Sequence, residues 1–246
     1  MNILVCISKA PDTTSKITFK EGNTQFNEEG VQFIVNPYDE WYALVRALEL
    51  KEAQGGKVSI ISVGGADYEP IMRKALAIGA DEAIRIDAQP TGAYQVAAEI
   101  SNYASGQGFD LILAGKETID YNGSQVAGMI AAIMDLPYIS NAISLEVNGS
   151  TAVVERDKQG GTEELEATLP AVISAAKGMA EQRIPNMRGI MAARSKPLQV
   201  VPPSVTETLT ETVSYELPPA KGAVKLIDPE NMEELVNLLH NEAKVI

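Results

Sequence analysis

The sequence has very little of the side-chain chemistry that metal sites and nucleophilic enzymes use. Its 246 residues include one cysteine and one histidine. The cysteine, Cys6, leaves no intrachain disulfide and no cysteine-based zinc or iron–sulfur site, and its apolar neighbours predict a buried, reduced thiol. The histidine, His240, is predicted to lie on the surface near the C-terminus. Catalytic triads and histidine-rich metal sites are therefore disfavoured.

Long apolar runs and basic charge are also scarce. No run reaches the roughly 18 apolar residues that a membrane span requires, and the chain begins with a strand-like run, not with a basic and apolar leader. We therefore expect a cytoplasmic protein without direct membrane insertion. The chain has 20 basic and 33 acidic residues, a formal net charge of −13. This negative field disfavours nucleic acid and anionic membranes as partners.

The common nucleotide-binding and acid–base signatures are missing as well. The sequence has no GxxxxGK[ST] loop, and Gly64-Gly65 does not extend into a spaced GxGxxG pattern. Carboxylate pairs such as Glu163-Glu164 fall in stretches that are predicted to be solvated, without an apolar pocket to shift a pKa. The sequence therefore offers few candidates for bond-making catalysis.

Apolar strand-like runs alternate with helix-like segments through the first half of the chain. The helices are predicted between Pro37 and Gly55 and at residues 67–78, 91–105 and 122–134. Strands that are separated by helices of this length need crossover connections, and continuously apolar strands indicate a sheet covered on both faces. We therefore predict an α/β fold with a doubly wound, mostly parallel sheet of the Rossmann-like, adenine-nucleotide-binding type.

Two stretches read as antiparallel structure. Near the N-terminus, ITFK and VQFIV flank a polar loop and predict a hairpin. From residue 142 to 174 the hydrophobic period changes to two, and glycine-containing turns separate the runs. The strands predicted there, appended to the main sheet as antiparallel strands, are SLEV, TAVVERD, EELEATL and AVIS.

The C-terminal part of the chain differs from the rest in composition. Beyond residue 196 it is rich in proline and threonine and too sparse in apolar clusters to close a core, which predicts an extended arm. A terminal amphipathic helix at 229–244 has one apolar face, which either the chain's own body or a second subunit must cover. We divide the chain into a nucleotide-binding α/β domain at 1–195 and an arm at 196–246 that docks on a partner subunit. The apolar face comprises Met232, Leu235, Val236 and Leu239.

Four turns are placed where a parallel sheet binds ligands. Ligands collect outside the carboxyl ends of the strands, where helix N-termini point backbone N–H groups outward. In the last of these turns Gly123 and Ser124 adjoin a predicted helix, so free N–H groups and a hydroxyl suit a phosphate without a lysine. The four turns are residues 6–12, 36–39, 63–66 and 115–125.

Several stretches of the chain resemble the β subunit of electron transfer flavoproteins. They are VNPYDE, ALAIGADEAI, AGKETIDYNGSQVAG and residues 153–174, which contain VERDKQGGTEELEATLPAVIS. The resemblance runs from Met1 to about Lys196 and departs at Gln159, where the family has an acidic residue before the double glycine. It implies a carrier subunit, not an enzyme, in an αβ heterodimer whose FAD is held mainly by the α subunit. Such a protein relays electrons from flavin-dependent dehydrogenases to a quinone oxidoreductase or similar acceptor.

The resemblance also implies which residues bind a cofactor. Family β subunits hold a second adenine nucleotide, usually AMP, in the pocket that the four turns form. Cys6 and Val63 equally fit plain core packing, and Asn36-Pro37 equally fits the start of a helix. Carried over by motif, the cofactor-binding residues are Cys6, Asn36, Pro37, Tyr38, Asp39, Val63, Thr118, Ile119, Asp120, Tyr121, Asn122, Gly123, Ser124, Gln125, Val126, Ala127, Gly128 and Met129.

A second implied feature is the loop with which the family recognises dehydrogenases. It corresponds to residues 181–196, with Met187 as the anchor. A thioether on an exposed turn suits a surface that must fit several partners, although Met187 equally fits packing against the α subunit. The implied docking residues are Arg183, Met187, Arg188, Ile190 and Met191.

Two other functions remain open, and a pure interaction protein is a third option. In bifurcating members of the family, the same pocket holds a second FAD that accepts hydride from NADH. The small Gly123 and Ser124 leave room for it, but YNGS differs from the DGDTAQVG-like loop of those members, which favours AMP. Outside the family, an adenine-nucleotide enzyme or a stress-type module has a similar architecture, but the SGGxDS-type loop of ATP-pyrophosphatases is missing.

Overall fold

The first strand of the chain, β1 (Asn2–Cys6), lies inside a nine-stranded sheet. The computed structural model describes residues 1–204 and 207–246. In spatial order the sheet consists of β11 (Gly161–Thr168), β10 (Thr151–Lys158), β9 (Tyr138–Asn148), β12 (Ala171–Ala175), β8 (Leu111–Gly115), β1, β6 (Lys57–Val63), β7 (Glu82–Ile86) and β13 (Leu198–Val201). Neighbouring strands from β9 to β13 are parallel, whereas β10 is antiparallel to both β9 and β11.

Helices cover both faces of this sheet. They are α1 (Asp39–Gln54), α2 (Glu69–Ile78), α3 (Ala93–Ala104) and α4 (Val126–Met134), whereas α5 (Met187–Ala193) packs on α2 and α6 (Met232–Asn237) lies near the C-terminus. The first begins just after Pro37 with two acidic residues in its first turn and ends at Gly55, whose positive φ of 76° suits glycine. Its predicted bounds are confirmed, and so is the doubly wound α/β fold.

The strands are continuously apolar because both of their faces are buried. In β1, Ile3 and Val5 pack in the layer that contains α1 and α2, while Leu4 and Cys6 pack in the layer that contains α3 and α4. Successive side chains of a strand point to opposite faces, so burial of both faces removes the polar alternation. Each fully buried Leu or Ile contributes roughly 1.5–3 kcal/mol, and these two layers stabilise the frame that carries the turns.

The prediction that all four strands of residues 142–174 are antiparallel is wrong for the last one. β12 inserts between β8 and β9 and runs parallel to both. All five of its side chains are buried, as expected for an inner strand with helices on both faces. A short apolar run has the same hydrophobic pattern in a parallel and in an antiparallel strand, so the sequence alone did not distinguish the two directions.

The N-terminal hairpin also pairs differently from the prediction. The strand within ITFK, β3 (Phe19–Lys20), pairs with β4 (Gln25–Phe26) and not with VQFIV. The strand within VQFIV, β5 (Phe33–Val35), pairs with β2 (Lys9–Pro11). The polar segment between the two motifs contains a tight turn with positive φ at Glu21, Gly22 and Asn23, which brings the nearer strand into place.

Two boundaries in the C-terminal part differ from the prediction. The sheet continues past residue 195, because β13 pairs with β7. The terminal helix is shorter than residues 229–244 and consists of α6 followed by a π-helical turn at Leu238–Glu242. Docking of the arm on a partner subunit stays a prediction. His240 is exposed, as predicted, and no helix within the described residues is long and apolar enough to cross a membrane.

Candidate functional site

A cleft opens where the order of the strands reverses. From β1 the chain continues to β6 on one side, whereas β8 lies on the other side of β1 and is followed outward by β12. Such a switch point leaves a crevice at the carboxyl ends of the strands. The cleft there has a volume of about 1710 Å³ and is lined mainly by the turns that follow β1, β6, β7 and β8.

Most of the residues that were predicted to bind a cofactor meet in this cleft. The lining residues include Cys6, Val63, Thr118, Ile119, Asp120, Tyr121, Gly123, Ser124, Gln125, Val126 and Ala127. The other predicted residues do not line it; they are Asn36, Pro37, Tyr38, Asp39, Asn122, Gly128 and Met129. Three of the four predicted stretches of sequence are thus brought together, whereas residues 36–39 do not line the cleft. That they bind a nucleotide stays a prediction.

The β8–α4 loop, residues 116–125, forms one wall of the cleft. A Cβ added to Gly115 would lie 2.8 Å from the Cγ of Glu40, so only glycine lets β8 pass this close to α1. Asn122 and Ser124 have positive φ of 48° and 50°. The predicted helix at 122–134 therefore begins four residues late, at Val126, because these conformations are incompatible with a right-handed helix.

The first turn of α4 has free hydrogen-bonding capacity. Gln125, the residue before it, makes no side-chain capping hydrogen bond, and the first N–H groups of any helix lack intrahelical partners. An added Cβ at Gly123 would meet no atom within 4 Å, so protein packing does not require this glycine. Backbone at this position is accessible to a ligand, and the helix dipole favours an anionic one.

Asn36 holds the β8–α4 loop from behind. Its side chain is fully buried. The Nδ2 group donates to the carbonyl oxygen of Glu117 at 3.0 Å, and Oδ1 accepts from the N–H of Ile119 at 2.9 Å. The residue that was expected to face a ligand is therefore engaged with the backbone of the wall.

Glu40 lies at the bottom of the cleft and was not predicted as a site residue. Its two carboxyl oxygens accept from the backbone N–H of Ser8 at 2.8 Å and from the Ser8 hydroxyl at 2.6 Å. The side chain is 6% exposed. Burial raises the pKa of this carboxyl to about 8, and the nearby charges of Asp120 and Asp39 act in the same direction.

The β6–α2 turn forms a second wall around Gly64. The ring of Tyr68 packs against this glycine, where an added Cβ would lie 2.4 Å from the ring atoms. Arg85 is buried and donates to the carbonyl oxygen of Gly64 at 2.9 Å. Burial raises the pKa of Tyr68 to about 12. This wall is thus supported by the Tyr68 ring and by Arg85, and it also carries the side chain of Asp67.

Basic charge in the cleft is already paired. Lys9 makes ion pairs with Glu28 at 3.1 Å and Asp67 at 2.5 Å, and its ammonium lies 3.8 Å from the centre of the Phe33 ring. Lys116 pairs with its neighbour Glu117. Within the described residues no cluster of three His, Cys, Asp or Glu side chains is arranged to hold a metal ion. A phosphate in this cleft would therefore rely on backbone N–H groups and hydroxyls.

The C-terminal arm closes one side of the cleft, which the sequence did not predict. Residues 208–212 and Tyr215 are lining residues. The Tyr215 ring stacks on Phe19 with centroids 4.8 Å apart, and its N–H donates to the carbonyl oxygen of Asn23 at 2.7 Å. Tyr215 is the only aromatic residue beyond residue 196, and that isolation is the signal that could have indicated its contact with the body.

The predicted docking loop is partly helical. Met187 begins α5, and the side chain of Asn186 accepts from the N–H of Gly189 at 2.8 Å as the helix cap. Gly189 lies against α2, where an added Cβ would be 2.3 Å from the carbonyl oxygen of Ala77. The helix is therefore fixed on the body by a glycine contact. An apolar patch remains exposed, formed by Ile184, Met187, Ile190 and Met191.

The basic residues of this region differ in their surroundings. Arg183 donates to both carboxyl oxygens of Glu52, at 2.6 and 3.0 Å, and its carbonyl oxygen accepts from the indole N–H of Trp41. Arg188 is exposed. Arg183 therefore anchors the segment to α1, whereas Arg188 adjoins the apolar patch. Their roles in docking stay predictions.

Comparison with known proteins shows the family of the chain. The family model "Electron transfer flavoprotein domain" matches residues 23–206. The chain is 39% identical to "Electron transfer flavoprotein subunit beta" of Bacillus subtilis (strain 168) over 260 aligned residues, which cover 100% of both chains. The human protein of the same description is 33% identical over 257 residues, which cover 100% of this chain and 99% of the relative.

A relative with a different description has a similar length. "Caffeyl-CoA reductase-Etf complex subunit CarD" of Acetobacterium woodii is 30% identical over 260 residues, which cover 99% of this chain and 98% of the relative. The family model spans most of the chain, and the Bacillus subtilis and human relatives are both described as β subunits. The chain therefore belongs to the electron transfer flavoprotein family, as a protein of the β-subunit type.

Proposed function

We propose that this chain is the AMP-holding β subunit of a heterodimeric electron transfer flavoprotein. In this role it relays electrons from flavin-dependent dehydrogenases to a quinone oxidoreductase or similar acceptor, through an FAD that the α subunit mainly holds. The observation that carries the proposal is identity along the full length to proteins described as electron transfer flavoprotein β subunits. FAD supplies the redox chemistry by accepting and donating electrons. The residues of this chain bind and orient the cofactors.

The chemistry of the cleft suits a nucleotide with a single phosphate. The uncapped first turn of α4 offers backbone N–H donors to one anionic group, whereas the Ser124 hydroxyl already donates to a carboxyl oxygen of Glu117 at 3.1 Å. Lys9 and Lys116, the two basic lining residues among those described, are both paired with carboxylates. A longer polyphosphate would meet uncompensated negative charge there. The acidic lining residues are Asp12, Glu28, Glu40, Asp67, Glu117, Asp120 and Glu211.

A second FAD is the alternative occupant of the same cleft. Pockets for small molecules commonly have volumes of about 300–1,000 Å³, and this cleft is larger, at about 1710 Å³. Aromatic rings that suit a second planar system lie along it, namely Phe19, Phe26, Phe33, Tyr68, Tyr121 and Tyr215. Volume and aromatic lining thus favour the bifurcating type, whereas the paired lysines favour AMP.

The test is to count the nucleotides that the heterodimer carries. The chain is co-expressed with the α subunit from the same organism, the complex is denatured, and the released FAD and AMP are measured by absorbance and mass spectrometry. One FAD and one AMP for each heterodimer is the expected result. Two FAD without AMP would replace the proposal by the bifurcating alternative. A nucleotide-free chain that still binds its partner would contradict both and indicate an interaction protein.

A further inference from the structure

The segment that leads into α1, residues 36–40, lies between two walls of the cleft. At one end Asn36 contacts the β8–α4 loop, and at the other end Glu40 contacts Ser8 in the turn after β1. Both side chains are at most 6% exposed. One short segment of chain is thus hydrogen-bonded to two parts of the cleft that are more than a hundred residues apart in sequence.

The contact of Asn36 has the geometry of a strand pairing. One amide both donates to a backbone carbonyl and accepts from a backbone N–H two residues later. These backbone groups, on Glu117 and Ile119, are held in place by a single side chain. Loss of one partner leaves a partly buried backbone group unsatisfied, which is costly. The loop conformation with positive φ at Asn122 and Ser124 follows directly after this contact.

The close packing of β8 on α1 reinforces the same contact. Gly115 passes against Glu40, with no space for a Cβ. The loop therefore leaves the sheet at a fixed position, and Asn36 fixes its next residues. Asn36 is not among the residues that line the cleft. Its side-chain hydrogen bonds point to the wall, not to the space that a ligand would occupy.

We propose that Asn36 is a positioning residue, which orders the β8–α4 loop for the nucleotide without contacting the nucleotide itself. This inference rests on the proposed function, because the loop is the wall in which the phosphate would bind. A loop that is ordered before binding costs less conformational entropy when the ligand arrives. Removal of the two Asn36 hydrogen bonds should increase the backbone mobility of residues 116–120 and thereby weaken nucleotide binding.

The experiment measures AMP binding and backbone order on the same full-length protein. AMP is titrated calorimetrically into nucleotide-stripped wild type, Asn36→Ala and the control Asn148→Asp, an exposed residue at the end of β9. Amide hydrogen exchange of residues 116–120 is followed without AMP. We expect Asn36→Ala to raise the dissociation constant about tenfold or more and to speed exchange in the loop. The control should change neither.

Asn36→Asp provides a second variant that keeps the shape of the side chain. Its carboxylate still accepts from Ile119, but it cannot donate to Glu117 until it is protonated. The AMP affinity of this variant relative to wild type should therefore be low at pH 8 and should recover towards pH 5. Taking the ratio at each pH cancels the titration of AMP itself, and the same series on Asn36→Ala controls for the neighbours Asp39, Glu40, Lys116 and Glu117, because that variant adds no carboxyl group. A general loss of folding would not recover in this way.

Three results would overturn the inference. They are wild-type affinity in Asn36→Ala, weaker binding without faster exchange of the loop, and an Asn36→Asp defect that is independent of pH. If wild type itself does not bind AMP, the proposed function fails, and loop exchange in Asn36→Ala alone decides whether Asn36 orders the wall.

Discussion

At the scale of single residues, buried polar side chains shape this site more than the residues that face it. Asn36 and Glu40 each contact the backbone of a cleft turn, and Arg85 supports the turn at Gly64. The family motif implied that Asn36 belongs to the site, but not the direction of its side chain. The direction of the Asn36 side chain depends on the position of the β8–α4 loop, which is more than eighty residues away in sequence.

Glu40 should make the stability of the protein depend on pH. Its pKa is about 8 in the folded chain, against an ordinary value near 4.5, so between these values the folded state holds a proton that the unfolded state has lost. The free energy of unfolding therefore falls as pH rises through this window. Glu40→Gln cannot ionise, and its loss of stability between pH 5 and pH 8 should be smaller than that of wild type by on the order of 3 kcal/mol.

Urea denaturation at pH 5, 6, 7 and 8 measures this effect. The matched control is Glu146→Gln, which changes an exposed glutamate on β9 and should follow the pH dependence of wild type. Parallel curves for wild type and Glu40→Gln would contradict the assignment of a protonated carboxyl at the bottom of the cleft.

At the scale of elements, start and stop signals predicted the bounds of α1 but not those of α4 and α6, and the pairing partners of two strands were predicted wrongly. The helix after Pro37 ends at its glycine as predicted, because capping and φ preferences are local. The direction of β12 and the partner of β5 were wrong, because both depend on which strand occupies the neighbouring position. The start of α4 was wrong for a different reason, since Asn122 and Ser124 adopt positive φ, and of these two residue types only asparagine is enriched in that conformation.

The apolar patch at α5 belongs to this scale because the helix presents it. Met187 is 74% exposed at the first position of α5, and Met191 is 57% exposed one turn later. Truncation of an anchoring side chain at an interface commonly costs more than 1 kcal/mol. Met187→Ala should therefore slow reduction of the flavin by the partner dehydrogenase about fivefold or more, while flavin content remains unchanged.

Stopped-flow reduction of the purified heterodimer by its dehydrogenase measures that rate. Ile133→Ala, which shortens an exposed apolar residue on α4, serves as the control and should reduce at the wild-type rate. Equal rates for Met187→Ala and wild type would remove this patch from the docking surface.

At the scale of the whole molecule, the arm divides into two parts. The part up to Tyr215 contributes β13 and the closing side of the cleft. The remainder is largely exposed and carries apolar side chains without cover, which is typical of a surface that meets another protein. These side chains include Leu217, Val224, Leu226, Met232 and Val236.

Deletion of residues 217–246 should separate these two roles. The sheet and both core layers end before Leu217, so the shortened chain should keep its melting temperature within about 2 °C, as expected when only exposed residues are lost. Its association with the α subunit should weaken strongly. Co-expression followed by affinity purification measures the yield of the complex. An undiminished yield would show that residues 217–246 are not needed to bind the α subunit.

The sequence by itself determined the fold class and the family, and it predicted three of the turns that line the cleft, but not the turn after β7. Apolar periodicity, helix caps and glycine positions depend only on residues that are close in sequence. They are therefore sufficient to predict a doubly wound α/β structure. The family motifs added the residues of the cleft. The tertiary structure alone decided the place of β12, the closure of the cleft by Tyr215 and the direction of the Asn36 side chain towards the β8–α4 loop. Each of these depends on contacts between distant segments, whose pairing no local pattern specifies.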